Sequence, residues 1–74
     1  MMFDYSKLRG RIREKFSTEA TFAEKMELSS PTLSSKLNNK VPWTDKEIMK
    51  ACSLLDIPSE FIPVYFFTEK VVNS

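Results

Sequence analysis

The stretch that decides the fold is TFAEKMELSSPTLSSKLNNK, residues 21–40. Its apolar spacing predicts a short helix, a turn of about four residues and a second short helix with a narrow apolar stripe. Two helices that cross closely need a small residue at the crossing, and Ala23 provides it. An apolar residue is needed on the second helix, and Leu33 provides it. We therefore predict a helix-turn-helix at about residues 19–38.

Capping residues indicate where the two helices of this motif begin. Thr18 can cap a helix over residues 19–26, because its hydroxyl can accept a hydrogen bond from a free amide of the first turn. Ser30 followed by Pro31 marks the start of the next helix, because proline fits the first helical turn. This helix is predicted over residues 31–38. Asn38-Asn39 can supply the left-handed residue that ends it.

Further helices are predicted on both sides of the motif. Leu8, Ile12 and Phe16 recur every four residues and indicate an amphipathic helix over residues 4–16, with Asp4 as its candidate cap. After the motif, Thr44 begins a capping box, in which its side chain and that of a glutamate three residues later satisfy each other's free amides. That glutamate is Glu47.

The fourth helix should bury Ile48, Ala51, Cys52 and Leu55 and end near residue 56, since a following proline disfavours continuation. Trp43 and Ile48 have the spacing of a hydrophobic staple. Ser59 is the candidate cap of one more short turn. Residues 64–72 are rich in aromatic residues and valine, so they are predicted to be extended. We expect the other aromatic side chains to pack in the core: Phe16, Phe22, Trp43 and Phe61.

These elements together predict an all-α fold, a compact four- to five-helix domain with an extended tail over residues 64–74. The whole chain, residues 1–74, is expected to be a single helix-turn-helix domain, because 74 residues are enough for one small core.

Net charge is only +1, which is weak electrostatic support for nucleic-acid binding. The distribution is uneven: residues 1–40 hold eight Lys or Arg against five Asp or Glu, and residues 41–74 hold three against five. A single cysteine cannot form an intramolecular disulfide, and no apolar run has the length of a signal peptide or membrane span. We expect a cytoplasmic location.

The residue inventory argues against an enzyme. There is no histidine, and there is only one glycine and one cysteine. A Cys/His pair, a zinc site and a glycine-rich phosphate loop therefore cannot be assembled. We expect no catalytic residue, no cofactor and no metal, and we interpret Cys52 as a small buried hydrophobic residue.

The motif and the residues that follow it carry a resemblance to a known family. Val41-Pro42-Trp43-Thr44 and Tyr65-Phe66-Phe67 stand where small phage-associated Cro-like proteins have V-x-W-T and Y-F-F. The chain is thus similar to the lambda repressor/Cro family over about residues 5–68. One departure is Glu27, at a turn position where the family usually has glycine and where a positive φ is expected. Glutamate there costs about 1 kcal/mol.

The resemblance implies that the second helix of the motif, residues 31–38, enters the major groove of double-stranded DNA. Candidate base-reading residues, on the face opposite Leu33 and Leu37 or at the start of the helix, are Ser30, Pro31, Thr32, Ser35 and Lys36. Candidate phosphate contacts are Thr18, Asn39, Lys40, Arg9 and Arg13. The serines are equally consistent with ordinary surface positions, and Arg9 and Arg13 with a solvated helix face.

Two functional hypotheses follow. The first is an operator-binding phage regulator, which needs two half-sites and therefore a homodimer. The second is a protein that keeps the helix-turn-helix scaffold but binds a partner phage repressor; the near-neutral charge and Glu27 favour it. An antitoxin is a remote third option. Candidate dimer or partner contacts lie in the tail, although packing on the chain's own core is equally open: Tyr65, Phe66, Phe67, Val71 and Val72.

Overall fold

The computed structural model describes residues 2–71, and its regular elements are all helical. Five helices follow one another along the chain, with a 3-10 turn at Ser59–Phe61 before the last. They are α1 (Ser6–Phe16), α2 (Glu19–Met26), α3 (Ser30–Leu37), α4 (Asp45–Leu55) and α5 (Ile62–Phe66). The predicted all-α, compact helical fold is confirmed. No named strand occurs within residues 2–71.

Local chemistry explains the boundaries of the central helices. The hydroxyl of Thr18 accepts a hydrogen bond from Thr21 N–H at 3.2 Å, so the predicted cap and the predicted extent of α2 are both correct. Thr44 and Glu47 form the predicted capping box at the start of α4. Asp56, in the left-handed region with φ 54°, ends that helix.

Four predicted boundaries or caps need correction. The cap of α3 is Ser29, whose hydroxyl accepts from Thr32 N–H at 3.2 Å, so Ser30 is the first helical residue. Asp4 does accept from Ser6 N–H at 2.8 Å, but α1 begins only at Ser6. Residues 64–66 are helical rather than extended. Ser59 begins the predicted short turn without capping it through its side chain.

The core lies where all five helices meet. Phe22, Leu8, Ile12 and Leu55 are fully buried, and Phe66 is 1% exposed. Phe16 and Trp43 are partly buried against this core, as predicted. The prediction for Phe61 is wrong, because its side chain is 46% exposed. The short α5 turns Phe66 inward instead.

The two ends of the described chain pair with each other. Phe3 forms an isolated antiparallel bridge with Glu69. The pairing is held by Asp4 N–H, which donates to Thr68 O at 2.7 Å, and by Lys70 N–H, which donates to Met2 O at 2.9 Å. The rings of Phe3 and Phe67 meet edge to face with centroids 5.6 Å apart. We call this pairing of residues 2–4 with 68–70 the terminal clasp.

Candidate functional site

The helix-turn-helix is formed by α2, the turn at residues 27–29, and α3. Ala23 and Leu33 are each 1% exposed, which agrees with their predicted places at the helix crossing and in the core. Glu27 has φ 62°, so the expected positive φ at the turn is confirmed for a non-glycine residue. Leu28 N–H donates to Ala23 O at 2.9 Å and closes the end of α2.

The outward face of α3 is polar and uncharged. Ser30, Pro31, Thr32 and Ser34 are exposed, and Ser35 is half-buried. The hydroxyl of Ser29 donates to Thr32 Oγ1 at 2.7 Å, so the Thr32 side chain takes part in the cap and is still exposed. These serine and threonine hydroxyls can donate or accept hydrogen bonds, but this face offers no cation.

Lys36 does not lie on that face. Its side chain is buried, and its ammonium group donates to Pro42 O at 3.0 Å and lies 2.8 Å from Glu47 Oε1. The predicted placement opposite Leu33 is therefore wrong. Position 36 is three residues after Leu33 and belongs to the same helical face, which the spacing alone should have indicated. Base reading by Lys36 stays a prediction that would require this ion pair to open.

Glu47 is the partner that holds Lys36 inside. Burial by itself would raise the pKa of the Glu47 carboxyl, but the hydrogen bonds from Lys36 and from Thr44 outweigh burial, and the pKa lies below its usual value. Thr44 N–H donates to the same oxygen, Oε1, at 2.9 Å. One carboxylate thus caps α4 and neutralises a lysine of α3.

Arg9, a candidate phosphate contact, already has partners within the chain. One guanidinium nitrogen donates to Glu19 Oε2 at 2.8 Å, and the other donates to Leu37 O at 3.3 Å and to Asn38 Oδ1 at 3.2 Å. Arg9 therefore ties α1 to the start of α2 and the end of α3. Arg13 is more open: its side chain is 66% exposed, and it lies 3.9 Å from the same glutamate.

Asn39 and Lys40 follow α3 and differ in whether their side chains already have partners within the chain. Of the two asparagines predicted to supply a left-handed residue, Asn39 does so, with φ 63°. Its side chain accepts from Phe3 N–H at 2.8 Å and donates to Phe3 O at 2.9 Å, so it is bound to the terminal clasp. Lys40 is exposed and makes no ion pair with any residue in the range 2–71. A phosphate role for either residue stays a prediction.

The tail residues separate into inward and outward groups. Phe66 is buried in the core, which confirms for this residue the alternative that the tail packs on its own domain. Tyr65 is half-buried, whereas Phe67 is 49% and Val71 82% exposed. Val72 lies outside the described residues.

An exposed apolar residue was missed by the sequence analysis. Met49 lies off the buried stripe of α4 and is 67% exposed. Together with Asp45, Ile48, Ile62 and Phe67 it lines a hollow of about 210 Å³ between α4 and α5. The available clue was an apolar side chain that does not fit the 3.6-residue period of its helix.

Cys52 and the acidic residues are the remaining candidates for a nucleophile or for metal ligands. Cys52 is buried and free, and burial raises the pKa of its thiol. Within residues 2–71, no group of three or more Cys, Asp or Glu side chains has the arrangement of a metal site. No helix in the same range has the length and apolarity needed to cross a bilayer.

The described residues thus form a helix-turn-helix with an uncharged outward face of α3, and an apolar hollow between α4 and α5. The chain belongs to the family described as "Protein of unknown function (DUF739)", which matches residues 1–69. It is similar to the solution structure of the modulator of repression (MOR) of the temperate bacteriophage TP901-1 from Lactococcus lactis. The two are 50% identical over 97% of each chain, with a TM-score of 0.81. No curated protein matched the sequence.

Proposed function

We propose that this protein is a phage regulator that binds a repressor protein and thereby changes the repressor's affinity for its operator. The observation that carries the proposal is the 50% identity with a phage modulator of repression, which extends over almost the full length of both chains. It would act in the bacterial cytoplasm as a binding protein, without catalysis and without a cofactor.

The charges around the helix-turn-helix support a protein partner. DNA affinity comes largely from lysine and arginine at phosphates. Here Lys36 is buried against Glu47, and Arg9 is paired with Glu19. Glu27, with a side chain that is 84% exposed, adds a negative charge at the turn itself. An operator reader with this surface would bind DNA weakly by itself.

Binding changes repression only if the protein distinguishes free repressor from repressor on DNA. A partner that binds the free repressor more tightly lowers operator affinity, and one that prefers the DNA-bound form raises it. The coupling is reciprocal, so operator DNA changes the affinity of the repressor for this protein by the same factor.

The test is a titration of a phage operator fragment with its own repressor, with and without this protein in excess. We expect the apparent operator Kd of the repressor to change at least about tenfold, equivalent to roughly 1.4 kcal/mol of coupling. This protein alone should bind the operator no better than random DNA. An unchanged repressor Kd, with no complex in sedimentation, would reject the proposal.

A second candidate function is operator binding by a homodimer of this protein, as in the Cro-like resemblance. The exposed start of α3 and the exposed Arg13 and Lys40 favour it. In that case Arg13→Ala and Lys40→Ala should each reduce the slope of log affinity against log salt by about 1. Lys46→Ala, an exposed lysine of α4 outside the motif, is the matched control and should leave the slope unchanged.

A further inference from the structure

The surface between α4 and α5 is concave and apolar. One hollow of about 210 Å³ is lined by Asp45, Ile48, Met49, Ile62 and Phe67. A second hollow of about 190 Å³ is lined mostly by N-terminal residues and the loop before α4; it shares Ile48 and Phe67 with the first, so the two adjoin. A cavity of about 150 Å³ accepts a benzene-sized group, so each hollow can accept an aromatic or branched aliphatic side chain. We call the two hollows together the α4–α5 groove.

Large apolar side chains at the groove are open to solvent. Met49 is 67%, Phe67 49% and Val41, which lines the second hollow, 41% exposed. Contiguous apolar surface of this kind, bordered by polar residues, is typical of interaction sites. Ile48 and Phe66 are buried core residues that also line the second hollow, so the exposed side chains stand beside the core and not within it.

The walls of the groove restrict what can bind there. The first hollow is formed by α4, α5 and the residue after α5, and helical backbone groups are already hydrogen-bonded within their own helices. In the first hollow a bound strand would find no free edge and would leave its own backbone groups unsatisfied. The backbone groups of a helix are already hydrogen-bonded to one another, so an amphipathic helix is the occupant that fits.

Asp45 sets the charge that the occupant must carry. It is the one charged residue among those that line the two hollows, it is exposed, and it makes no ion pair with any described residue. An apolar helix with a lysine or arginine beside its apolar stripe would complement Asp45.

A second copy of this chain fits the groove less well. A symmetric dimer through the groove would place the groove of one copy against the groove of the other. Both Asp45 carboxylates would then lie beside the contact, with no basic partner among the residues that line the hollows. That arrangement is unfavourable when the charges lose water.

We propose that the α4–α5 groove is the docking site for a partner's amphipathic helix, held by apolar side chains in the two hollows and by a basic residue opposite Asp45. The inference rests on the proposed function, since it assigns the repressor to this groove instead of to the outward face of α3.

The test uses two synthetic helical peptides of about 20 residues, a length at which an isolated helix can form. Both carry the same leucine stripe; one has lysines beside the stripe and the other has glutamates at the same positions. Chemical shifts of the labelled full chain are followed during titration. We expect saturable shifts at Asp45, Met49 and Phe67, and about threefold tighter binding of the lysine peptide at low salt.

Two variants and a control sharpen the result. Asp45→Lys should reverse the preference, so that the glutamate peptide binds better. Met49→Asp places a charge in the first hollow and should weaken both peptides about tenfold. Glu24→Lys, an exposed carboxylate of α2, makes the same charge change away from the groove and should alter neither affinity. All three positions are exposed, so the fold should persist.

Several outcomes would overturn the groove assignment. They are the absence of saturable binding by either peptide, shifts centred on α3, or self-association of the chain that Met49→Asp abolishes. The repressor titration stays a separate measurement. If the wild-type chain and Met49→Asp bind the repressor equally, the groove is rejected and the proposed function stands. If the wild-type chain binds no repressor, the proposed function fails, and the peptide titration still decides the groove.

Discussion

Lys36 of α3 and Glu47 of α4 are joined by a buried ion pair, with 2.8 Å between Nζ and Oε1. The lysine side chain is 5% and the glutamate side chain 21% exposed. Because Glu47 Oε1 also accepts from Thr44 N–H, the pair fixes the end of the helix-turn-helix against the start of α4. A lysine expected at the DNA surface thereby has a structural role.

Removal of one partner of this pair should destabilise the protein more than removal of both. Glu47→Gln or Lys36→Met leaves a buried group without its counter-charge and should lower the free energy of unfolding by about 2–4 kcal/mol. The double variant Lys36→Met/Glu47→Gln, which keeps an acceptor for Thr44 N–H, should recover much of that loss. Urea unfolding of the three variants measures the effect. Additive losses would show that the two side chains are not coupled.

The matched control for that experiment is the exposed pair between Lys15 and Asp56, which lie 2.9 Å apart. Asp56→Asn should have a much smaller effect than Glu47→Gln, because water screens an exposed pair.

Acid should weaken the protein partly through Glu47. Its folded-state pKa lies below the ordinary 4.5, so its contribution is fully present above that value and is lost as the pH falls through the folded-state pKa. The free energy of unfolding, measured from pH 7 down to the pH at which the protein unfolds, should therefore fall more steeply in wild type than in Glu47→Gln. Asp4 and Asp56, whose pKa values are also lowered, act equally in both proteins. Parallel curves for the two proteins would contradict this assignment.

Asn39 should stabilise the protein in two separable ways. Asn39→Gly keeps the left-handed backbone but loses both hydrogen bonds to Phe3, at a cost of about 1–2 kcal/mol. Asn39→Ala should lose about 1 kcal/mol more, because its φ of 63° strains alanine. Thermal unfolding ranks the stabilities of wild type and the two variants. Faster hydrogen exchange at Phe3 N–H in both variants would show that the lost hydrogen bonds cause the destabilisation. Unchanged exchange there would exclude the hydrogen-bond explanation.

Glycine at position 27 should stabilise the turn. Glu27 has φ 62°, and its ion pair with Lys50, at 3.2 Å, is exposed and adds little. Glu27→Gly should therefore raise the free energy of unfolding by about 0.5–1 kcal/mol. Glu24→Gly, inside α2, should instead lower it by about 1 kcal/mol. If both variants were destabilised equally, backbone strain at the turn would be unimportant.

Phe66 and Phe61 should differ in how much they contribute to the free energy of unfolding. Phe66 is 1% exposed, so Phe66→Leu should lower the free energy of unfolding by about 1–2 kcal/mol and Phe66→Ala by about 3–5 kcal/mol. Phe61 is 46% exposed, and Phe61→Ala should change it by about 0.5 kcal/mol or less. Denaturant unfolding compares them. A large loss in the free energy of unfolding for Phe61→Ala would show that Phe61 packs in the core.

Local chemistry made the helix-turn-helix predictable. Thr18, Thr44 and Glu47 cap helices through bonds that span three residues, so the sequence contains both partners of each bond. Ala23 and Leu33 were likewise predicted from spacing within one motif. The all-helical fold followed from such short-range patterns.

Long-range partners were not predictable in this way. Nothing near Lys36 in the sequence indicates that its ammonium meets Glu47, and nothing near Asn39 indicates Phe3. The helix α5 has only five residues, too few for a period to show that Phe66 turns inward and Phe67 outward. The candidate DNA contacts Lys36 and Asn39 therefore have surroundings that differ from those predicted, because tertiary structure sets their partners.

The terminal clasp has a consequence for folding kinetics. Contacts among α1, α2 and α3 join neighbouring segments, whereas the bridge between Phe3 and Glu69 joins nearly opposite ends of the chain. Closing so large a loop costs entropy, so the helices should assemble before the ends meet. The clasp should also be the first part to open in the native state, through fraying that leaves the core intact. Asn39 would then be released at the end of α3 without global unfolding.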